Sequence, residues 1–328
     1  MINKNNNILD SPTDLFYFDQ AMDLVKNEID TALSTAPLII RKYTEHLKLS
    51  RGKYIRALAV LTCAENKEEL IHQDAVKFAA GIEILHLATL VHDDVIDNAP
   101  IRRGNMTLQK KYGQRTAVIC GDYLLAMALK KAAQVTDKKH YLDFEVPDYV
   151  SKLCLGELRQ HINNNNFDLS IYEYLKIISG KTAALFEAAF LAGAVVSEGN
   201  SEILKQYKNL GRYVGMIFQL MDDCMDFEDS EEVAKKPVQS DLEQGVITLP
   251  LIHAFHNISG FKESVRSNLS RKEINGVVIK SGGLDFTRML ANKYYNKSIK
   301  IIHTIEMTEA KRKRLTGLLD KACGRLRR

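Results

Sequence analysis

The chain has 328 residues, of which 45% are hydrophobic, so it is long enough to enclose a large core. Lys and Arg (45) nearly balance Asp and Glu (41), and a net charge of only +4 argues against a nucleic-acid-binding surface. The five cysteines form no CxxC pair, which favours reduced thiols over disulfides or a zinc site. The polar N-terminus "MINKNNNILD" lacks the apolar core of a signal peptide, so we expect a cytoplasmic protein.

The predicted elements are helices throughout. Apolar residues recur at spacings of three and four, and no sustained alternation predicts strands. We expect residues 1–12 to be disordered and residues 13–328 to form a single all-α domain, a bundle of about ten or more helices around a central cavity. The segments 117–133 and 185–196 are apolar on nearly every side. Such helices lie at the centre of a bundle or at a subunit interface.

The first unusual motif is "HDDVIDNAPIRRG", which follows the apolar run "AAGIEILHLATLV". On a helix, Asp93 and Asp97 share a face and Asp94 lies beside them. A single cluster of this kind is often just a solvated, acidic helix end. Here the preceding helix is apolar enough to be buried, so its carboxylates need a partner. A hard divalent cation with oxygen ligands is the natural one.

A second aspartate cluster occurs in "FQLMDDCMDF", where Asp222, Asp223 and Asp226 have the same spacing after another apolar run. Two carboxylate clusters that face one cavity repel each other unless cations lie between them. Mg²⁺ typically binds through one or two carboxylates together with substrate phosphates. The sequence therefore predicts a magnesium site for a substrate that carries a diphosphate or a similar group.

A diphosphate also needs basic side chains. Each candidate alone could be ordinary surface charge, but as a set they are ordered around the two acidic motifs: Lys53, Arg56, Arg102, Arg103, Lys181 and Lys236. Thr182 follows Lys181 in "SGKT", which is similar to part of a P-loop. The first glycine of that motif would fall at Leu175, so we reject a P-loop.

In this order the motifs resemble those of the trans-isoprenyl diphosphate synthases, specifically the medium- and long-chain (heptaprenyl- and octaprenyl-like) polyprenyl group. The resemblance rests on "HLATLVHDDVIDNAPIRRGNMTLQKKYG", "ISGKTAALFEAA" and "FQLMDDCMDF…KKPVQSDLEQGVITLPL", and it runs from "SRGKYIRA" to "GVITLPLIHAF". It implies the isoprenoid synthase fold. It also implies a Mg²⁺-dependent, head-to-tail condensation of isopentenyl diphosphate with dimethylallyl, geranyl or farnesyl diphosphate, which gives an all-trans product.

The resemblance also implies a role for each motif residue. Asp93 and Asp97 would hold two Mg²⁺ ions and Asp222 a third, all bridging the allylic diphosphate. The allylic diphosphate would be bound by Arg102, Lys181 and Lys236. Isopentenyl diphosphate would be bound by Lys53, Arg56, His86 and Arg103. The reacting centre would be lined by Thr182 and Gln219, and the metals would be supported by Asp94, Asp223 and Asp226. A histidine on an apolar helix such as His86 could equally be an ordinary core residue.

Some positions depart from the family pattern. Arg51, Tyr54 and Ala57 replace members of the family's GGK[RM][IL]RP motif, which puts the local shape of this half-site in doubt. Lys235 stands where the family often has a glycine, and Val246 replaces a lysine that could contact phosphate.

Product length is predicted from the residues one helical turn behind Asp93. One turn rises about 5.4 Å, roughly one isoprene unit, and aromatic residues there go with C15–C20 products in this family. Ala88 and Thr89 are small, so we expect a product beyond C20, in the range C30–C40. Deeper barriers would be Leu85, Ile82 or the facing helix around Ala126 and Leu129. Alternatively, Ala88 and Thr89 simply allow close helix packing.

Three other interpretations stay open. The first is a short-chain (C15–C20) synthase. The second is a class I terpene cyclase, although its second motif reads [ND]DxxSxxxE and Asp226 stands at the Ser position. The third is a non-catalytic partner subunit or a metal- or lipid-binding module, which would usually lack the aspartates or the lysine retained here. We expect a homodimer, with a small accessory subunit as an alternative and at most peripheral membrane contact for product release.

Overall fold

A computed structural model describes residues 14–48, 52–139, 142, 146–228, 241–267 and 269–324. The expected disordered segment 1–12 lies outside these residues, as do Arg51, Lys235 and Lys236. The described residues form helices with two small antiparallel ribbons. The all-α prediction is therefore confirmed.

The helices of the first half of the chain are α1 (Phe18–Ser34), α2 (Leu38–Leu47), α3 (Ile55–Ala64), α4 (Gln73–Ile96), α5 (Leu108–Tyr112), α6 (Gln114–Ala132) and α7 (Val146–Ile162). Those of the second half are α8 (Ile171–Ile178), α9 (Ala184–Ser197), α10 (Ser201–Glu228), α11 (Leu249–Asn257), α12 (Phe261–Arg266), α13 (Arg271–Lys280), α14 (Gly283–Thr304) and α15 (Glu309–Ala322). A π-helical turn (Ser179–Ala183) joins α8 to α9, and a 3₁₀ turn (Asp241–Gln244) precedes α11.

The centre of the bundle consists of α4 and α9. Helix α4 packs against α1, α3, α6 and α9, and α9 also packs against α3 and α10. Nearly all of α9 is buried, as its all-round apolar sequence predicts. Gly193 brings α9 close to α3, because a Cβ there would clash with the carbonyl of Val60. Both α4 and the continuous segment Ile171–Ser197 are apolar enough to cross a membrane, but 61% and 78% of their apolar windows are buried, which is typical of core helices.

Helix α6 is buried on one side only. Ala117, Cys120 and Leu124 are buried on the side that packs against α4. Val118, Ile119 and Leu129 are 40%, 56% and 36% exposed. We predicted that segment 117–133 lies either at the centre of the bundle or at a subunit interface. The first location is wrong, and the second stays a prediction.

The two ribbons fix the chain at the edges of the bundle. Strand β1 (Leu15–Phe16) pairs with β2 (Ile71–His72), and β3 (Ile101–Arg102) pairs with β4 (Asn105–Met106). The turn between β3 and β4 consists of Arg103 and Gly104, whose φ angles are 51° and 81°. Two consecutive residues at positive φ are typical of a tight type I′ hairpin. This hairpin places two consecutive arginines just after the first aspartate cluster.

Candidate active site

The first aspartate cluster lies in the last turn of α4, with Asp97 as the C-cap. Carboxylates at a helix C-terminus oppose the helix dipole, so local helix stability does not explain them. Asp94 is buried and accepts a hydrogen bond from Arg102 Nε at 2.6 Å. The β3–β4 hairpin is thereby tied to the end of α4. Arg102, which we predicted to bind the allylic diphosphate, contacts Asp94 of this cluster.

Lys181 and Glu157 bring a further charged pair to this cluster. Lys181 Nζ donates to Glu157 Oε1 at 2.8 Å. Helix α7 and the π-helical turn approach closely at Gly156 and Gly180, because a Cβ on Gly156 would clash with the backbone of Gly180 and Lys181. Our sequence analysis missed Glu157. The one signal for Glu157 in the sequence is the preceding Gly156, which indicates a close approach of another segment but does not identify that segment.

Burial and crowding perturb Asp93. The pKa of Asp93 is raised to about 7, chiefly by burial and then by the negative charges of Glu157 and Asp97, while the positive charges of Lys181 and Arg102 oppose the increase. The pKa values of Asp94 and Asp97 are also raised, with burial as the main cause. Burial thus disfavours the charged form of all three aspartates, and a bound divalent cation would offset this cost.

The second cluster lies at the end of α10 and is held by a chain of hydrogen bonds. Thr182 Oγ1 donates to Gln219 Oε1 at 2.7 Å, and Gln219 Nε2 donates to Asp223 Oδ1, also at 2.7 Å. The Tyr174 hydroxyl donates to the other oxygen of Asp223. Thr182 and Gln219, which we expected to line the reacting centre, are thus hydrogen-bonded to the second cluster. Tyr174, on α8, was not predicted.

Asp241 adds a fourth carboxylate to this cluster. Its backbone N–H donates to Asp226 Oδ2 at 3.3 Å, and Arg271 contacts Asp226 Oδ1 at 3.5 Å. Burial, followed by the charges of Asp223, Asp226 and Asp222, raises the pKa of Asp241 well above its ordinary value. Asp241 was not predicted as a site residue. It ends the segment "KKPVQSD" of the second motif, and this position was the signal in the sequence that could have identified it.

Lys181 links the two clusters. Burial works against its charge, but Glu157, Asp93 and Asp97 together raise its pKa, and its charge lowers the pKa of Asp241. The charge of Lys181 therefore acts on carboxylates of both clusters. Among the described residues, no three acidic, histidine or cysteine side chains are placed so that they could hold a metal ion by themselves. Open sets of carboxylate oxygens fit Mg²⁺, which keeps several waters and takes phosphate oxygens as further ligands.

A basic cavity of about 480 Å³ lies beside α3 and α4. Four predicted ligands of one diphosphate line it together: Lys53, Arg56, His86 and Arg103. Arg56 Nε is buried without a hydrogen-bond partner among the described residues, and the guanidinium lies 4.6 Å from the Phe186 ring centroid. Burial lowers the pKa of Arg56 to about 10 and the pKa of His86 well below its usual range, with neighbouring arginines contributing to both shifts. Several cationic side chains that line one cavity, one of them a buried guanidinium, fit an anionic ligand.

Glu83 holds the start of α3 at this cavity. Tyr54 is the N-cap of α3, with φ 52° and no side-chain cap. Glu83 Oε1 accepts the backbone N–H of Ala57 at 2.9 Å, so an acid on α4 caps α3 in place of a local side chain. Ala57 supplies an N–H that the family's proline lacks. The Tyr54 and Ala57 departures therefore leave Arg56 and Lys53 in the cavity.

An apolar cavity of about 510 Å³ runs from the first cluster between α4 and α7. Thr89, Asp93, Leu153, Glu157 and Lys181 are among its lining residues. Ala88 is buried, at 2% exposure, in the packed core and does not line this cavity.

A second void, of about 20 Å³, lies deeper along α4. Leu85, Ile82 and Leu129 line it, as we expected for the deeper barriers, together with Tyr149 from α7, which we did not predict. The expectation for Ala126 was wrong, because it is exposed on α6 and Ala128 takes its place in the lining.

The basic cavity and the apolar cavity both border α4, and Asp93 of the first cluster lines the apolar one. This arrangement fits a prenyltransferase. Residues 37–281 match the model of the polyprenyl synthetase family, and the chain belongs to this family. This match confirms the resemblance and favours a synthase over a class I terpene cyclase. Together with the relatives described next, it makes the chain a polyprenyl diphosphate synthase.

Similar proteins include several polyprenyl synthases. Heptaprenyl diphosphate synthase component 2 from Geobacillus stearothermophilus is 31% identical over 88% of this chain and 90% of its own length. Octaprenyl diphosphate synthase from Escherichia coli is 30% identical over 93% and 96%. The crystal structure of heptaprenyl diphosphate synthase from Staphylococcus aureus superposes with a TM-score of 0.84, at 30% identity over 94% and 98% of the two chains.

Proposed function

We propose that the enzyme condenses isopentenyl diphosphate with an allylic diphosphate in a Mg²⁺-dependent reaction and releases an all-trans product longer than C20, in the range C30–C40. The observation that carries this proposal is the position of Asp93. It lies in the wall of the apolar cavity, while His86, two turns earlier on the same helix, lies in the basic cavity. An allylic chain in the first cavity and a homoallylic diphosphate in the second would meet beside the two clusters.

The residues have distinct tasks in this mechanism. Asp93, Asp97 and Asp222 would hold Mg²⁺, which supplies Lewis-acid neutralisation of the leaving diphosphate. Lys181 and Arg102 bind that diphosphate and favour cleavage of the allylic C–O bond. Lys236, which is not among the described residues, would bind the same diphosphate. The basic cavity positions the double bond of isopentenyl diphosphate against the allylic cation. The final proton loss needs only a weak base, and an oxygen of the released diphosphate is adjacent.

Sizing the products of the purified chain tests this proposal. The assay combines isopentenyl diphosphate in excess with dimethylallyl, geranyl or farnesyl diphosphate while Mg²⁺ is titrated. We expect linear prenyl diphosphates beyond C20, no turnover in excess chelator, and recovery when Mg²⁺ is restored. Products that stop at C15 or C20 would identify a short-chain synthase, and cyclic hydrocarbons a cyclase. Full activity in excess chelator would contradict the metal assignment.

Glu83 offers a test of the basic cavity. Glu83→Ala leaves the Ala57 N–H without its acceptor, and such a loss costs about 1–3 kcal/mol. Because Arg56 precedes Ala57, we expect about a tenfold higher KM for isopentenyl diphosphate, with the KM for the allylic substrate little changed. Glu83→Gln keeps an acceptor oxygen and should restore most of the affinity. Equal changes in both KM values would contradict this assignment.

We further propose a homodimer that uses the exposed side of α6. Val118, Ile119 and Leu129 are solvent-accessible there, and an apolar face of this kind is typical of a protein interface. Ile119→Glu should therefore shift the protein towards monomer at micromolar concentration in sedimentation experiments. Ile279→Glu is the matched control, because Ile279 is similarly exposed (51%) on α13. A wild-type monomer would rule out the homodimer.

A heteromer is the second candidate assembly. Two similar relatives carry the name heptaprenyl diphosphate synthase component 2, which supports a small accessory subunit here. Turnover by the purified chain alone separates the two assemblies. Full activity favours the homodimer, whereas an inactive, folded chain favours a missing subunit.

A further inference from the structure

We propose that Tyr149 closes the deep end of the elongation cavity and sets the upper limit of product length. The inference rests on the proposed function, because it assigns the apolar cavity to the growing chain. It concerns the far end of that cavity, about three helical turns from the aspartates.

The upper cavity and the deeper void are separate spaces that follow one another along α4 and α7, and we call this line of lining residues the seam. On α4, Thr89 and Asp93 line the upper cavity, and Leu85 and Ile82 line the deeper void. On α7, Leu153 and Glu157 line the upper cavity, whereas Tyr149, one turn before Leu153, lines the deeper void. Both helices therefore run in the same direction along the seam. The depth below the aspartates increases towards lower residue numbers on each helix. At 1.5 Å per residue, Ile82 lies about 16 Å from Asp93 along α4.

Leu85 is the lining residue of the deeper void nearest to the upper cavity along α4, and Leu153 is the lining residue of the upper cavity nearest to the void along α7. They are 7% and 9% exposed, and both are flexible aliphatic side chains. The void itself, at about 20 Å³, holds no isoprene unit as these side chains stand. A chain that grows past Thr89 must therefore displace the two leucines, and the next surface that it meets is the ring of Tyr149.

Tyr149 resists displacement more than the leucines do. Its ring is 1% exposed, and its hydroxyl donates to Glu187 Oε1 at 3.3 Å. Lys152 Nζ lies 4.8 Å from the ring centroid and is itself paired with Asp148 at 2.8 Å and with Glu187 at 3.6 Å. Moving the ring breaks these contacts, and the space behind it is charged, which excludes an apolar chain. The aromatic ring is therefore the floor of the cavity.

Substitution at Tyr149 tests the proposal through the length of the products formed. Tyr149→Ala, and Tyr149→Leu in case the alanine variant does not fold, should lengthen the longest product by at least one C5 unit. Tyr149→Phe keeps the ring and should keep the wild-type length. Products are sized at equal isopentenyl diphosphate excess, so a lower total rate does not alter the readout.

The outcomes separate this proposal from the proposed function. A wild-type enzyme whose products stop at C15 or C20, or are cyclic hydrocarbons, would refute the proposed function itself. A wild-type enzyme with a defined product length, unchanged in folded Tyr149→Ala or Tyr149→Leu, would refute the role of Tyr149 alone. Lengthening by Tyr149→Phe as large as that by Tyr149→Ala would also overturn it, because the hydroxyl and not the ring would then be responsible.

Discussion

Asp93→Ala and Asp222→Ala are each expected to lower turnover by about 10²- to 10³-fold, the loss typical of removing one preorganised charged group. Each substitution removes the carboxylate oxygens of one residue from one of the two aspartate clusters. The leaving diphosphate then loses part of the positive charge that stabilises it. Steady-state rates at saturating Mg²⁺ measure the effect. Asp23→Ala is the control, because Asp23 is an exposed acid on α1 that pairs only locally with Lys26.

Asp93→Ala should achieve this without loss of stability. The folded protein raises the pKa of Asp93 to about 7, mainly by burial, above about 3.9 for an unfolded aspartate. The folded state therefore binds this proton more tightly. Its contribution to stability is complete below about pH 4 and is lost as pH rises through about 7.

At neutral pH and without metal, Asp93→Ala should thus unfold at the same or a higher temperature than the wild type. Thermal unfolding in chelator measures this. A marked fall in melting temperature for Asp93→Ala would mean that the aspartate stabilises the fold, and the activity loss would then say little about metal binding.

The second large effect is expected from Thr89→Phe, which should shift the products towards C15–C20. Thr89 lines the upper cavity one helical turn from Asp93, so an aromatic ring there would stop the chain after the first additions. Thr89→Val, of nearly the same volume, is the matched control and should keep the wild-type length. Product sizing with excess isopentenyl diphosphate measures both. An unchanged product length in folded Thr89→Phe would contradict the assignment of this cavity to the growing chain.

Ala88→Phe is expected to act differently, although the sequence alone suggested the same effect for both positions. Ala88 is buried in the core and lies outside the cavity lining. An added ring would overpack the core and cost about 1–3 kcal/mol of stability. We therefore expect a lower melting temperature as its main effect. A shortened product without loss of stability would show that Ala88 faces the chain after all.

The sequence by itself determined the features that depend on local spacing. Asp93 and Asp97 share a helical face because they are four residues apart, and the apolar run before them predicts a buried helix. The same logic identified the second cluster, the buried helix α9 and the order of motifs that defines the family. Helical periodicity is a property of neighbouring residues, so it can be read without knowing what a helix packs against.

Only the tertiary structure decided which side chains from distant segments meet. Glu157 reaches Lys181 because two glycines let α7 approach the π-helical turn, and Tyr174 reaches Asp223 from another helix. Packing likewise directed Thr89 into the cavity and Ala88 into the core, although they are adjacent in sequence, and it left one side of α6 exposed. These outcomes depend on the distances and rotations between helices. Interhelical packing fixes those quantities, whereas the spacing of residues within one helix does not.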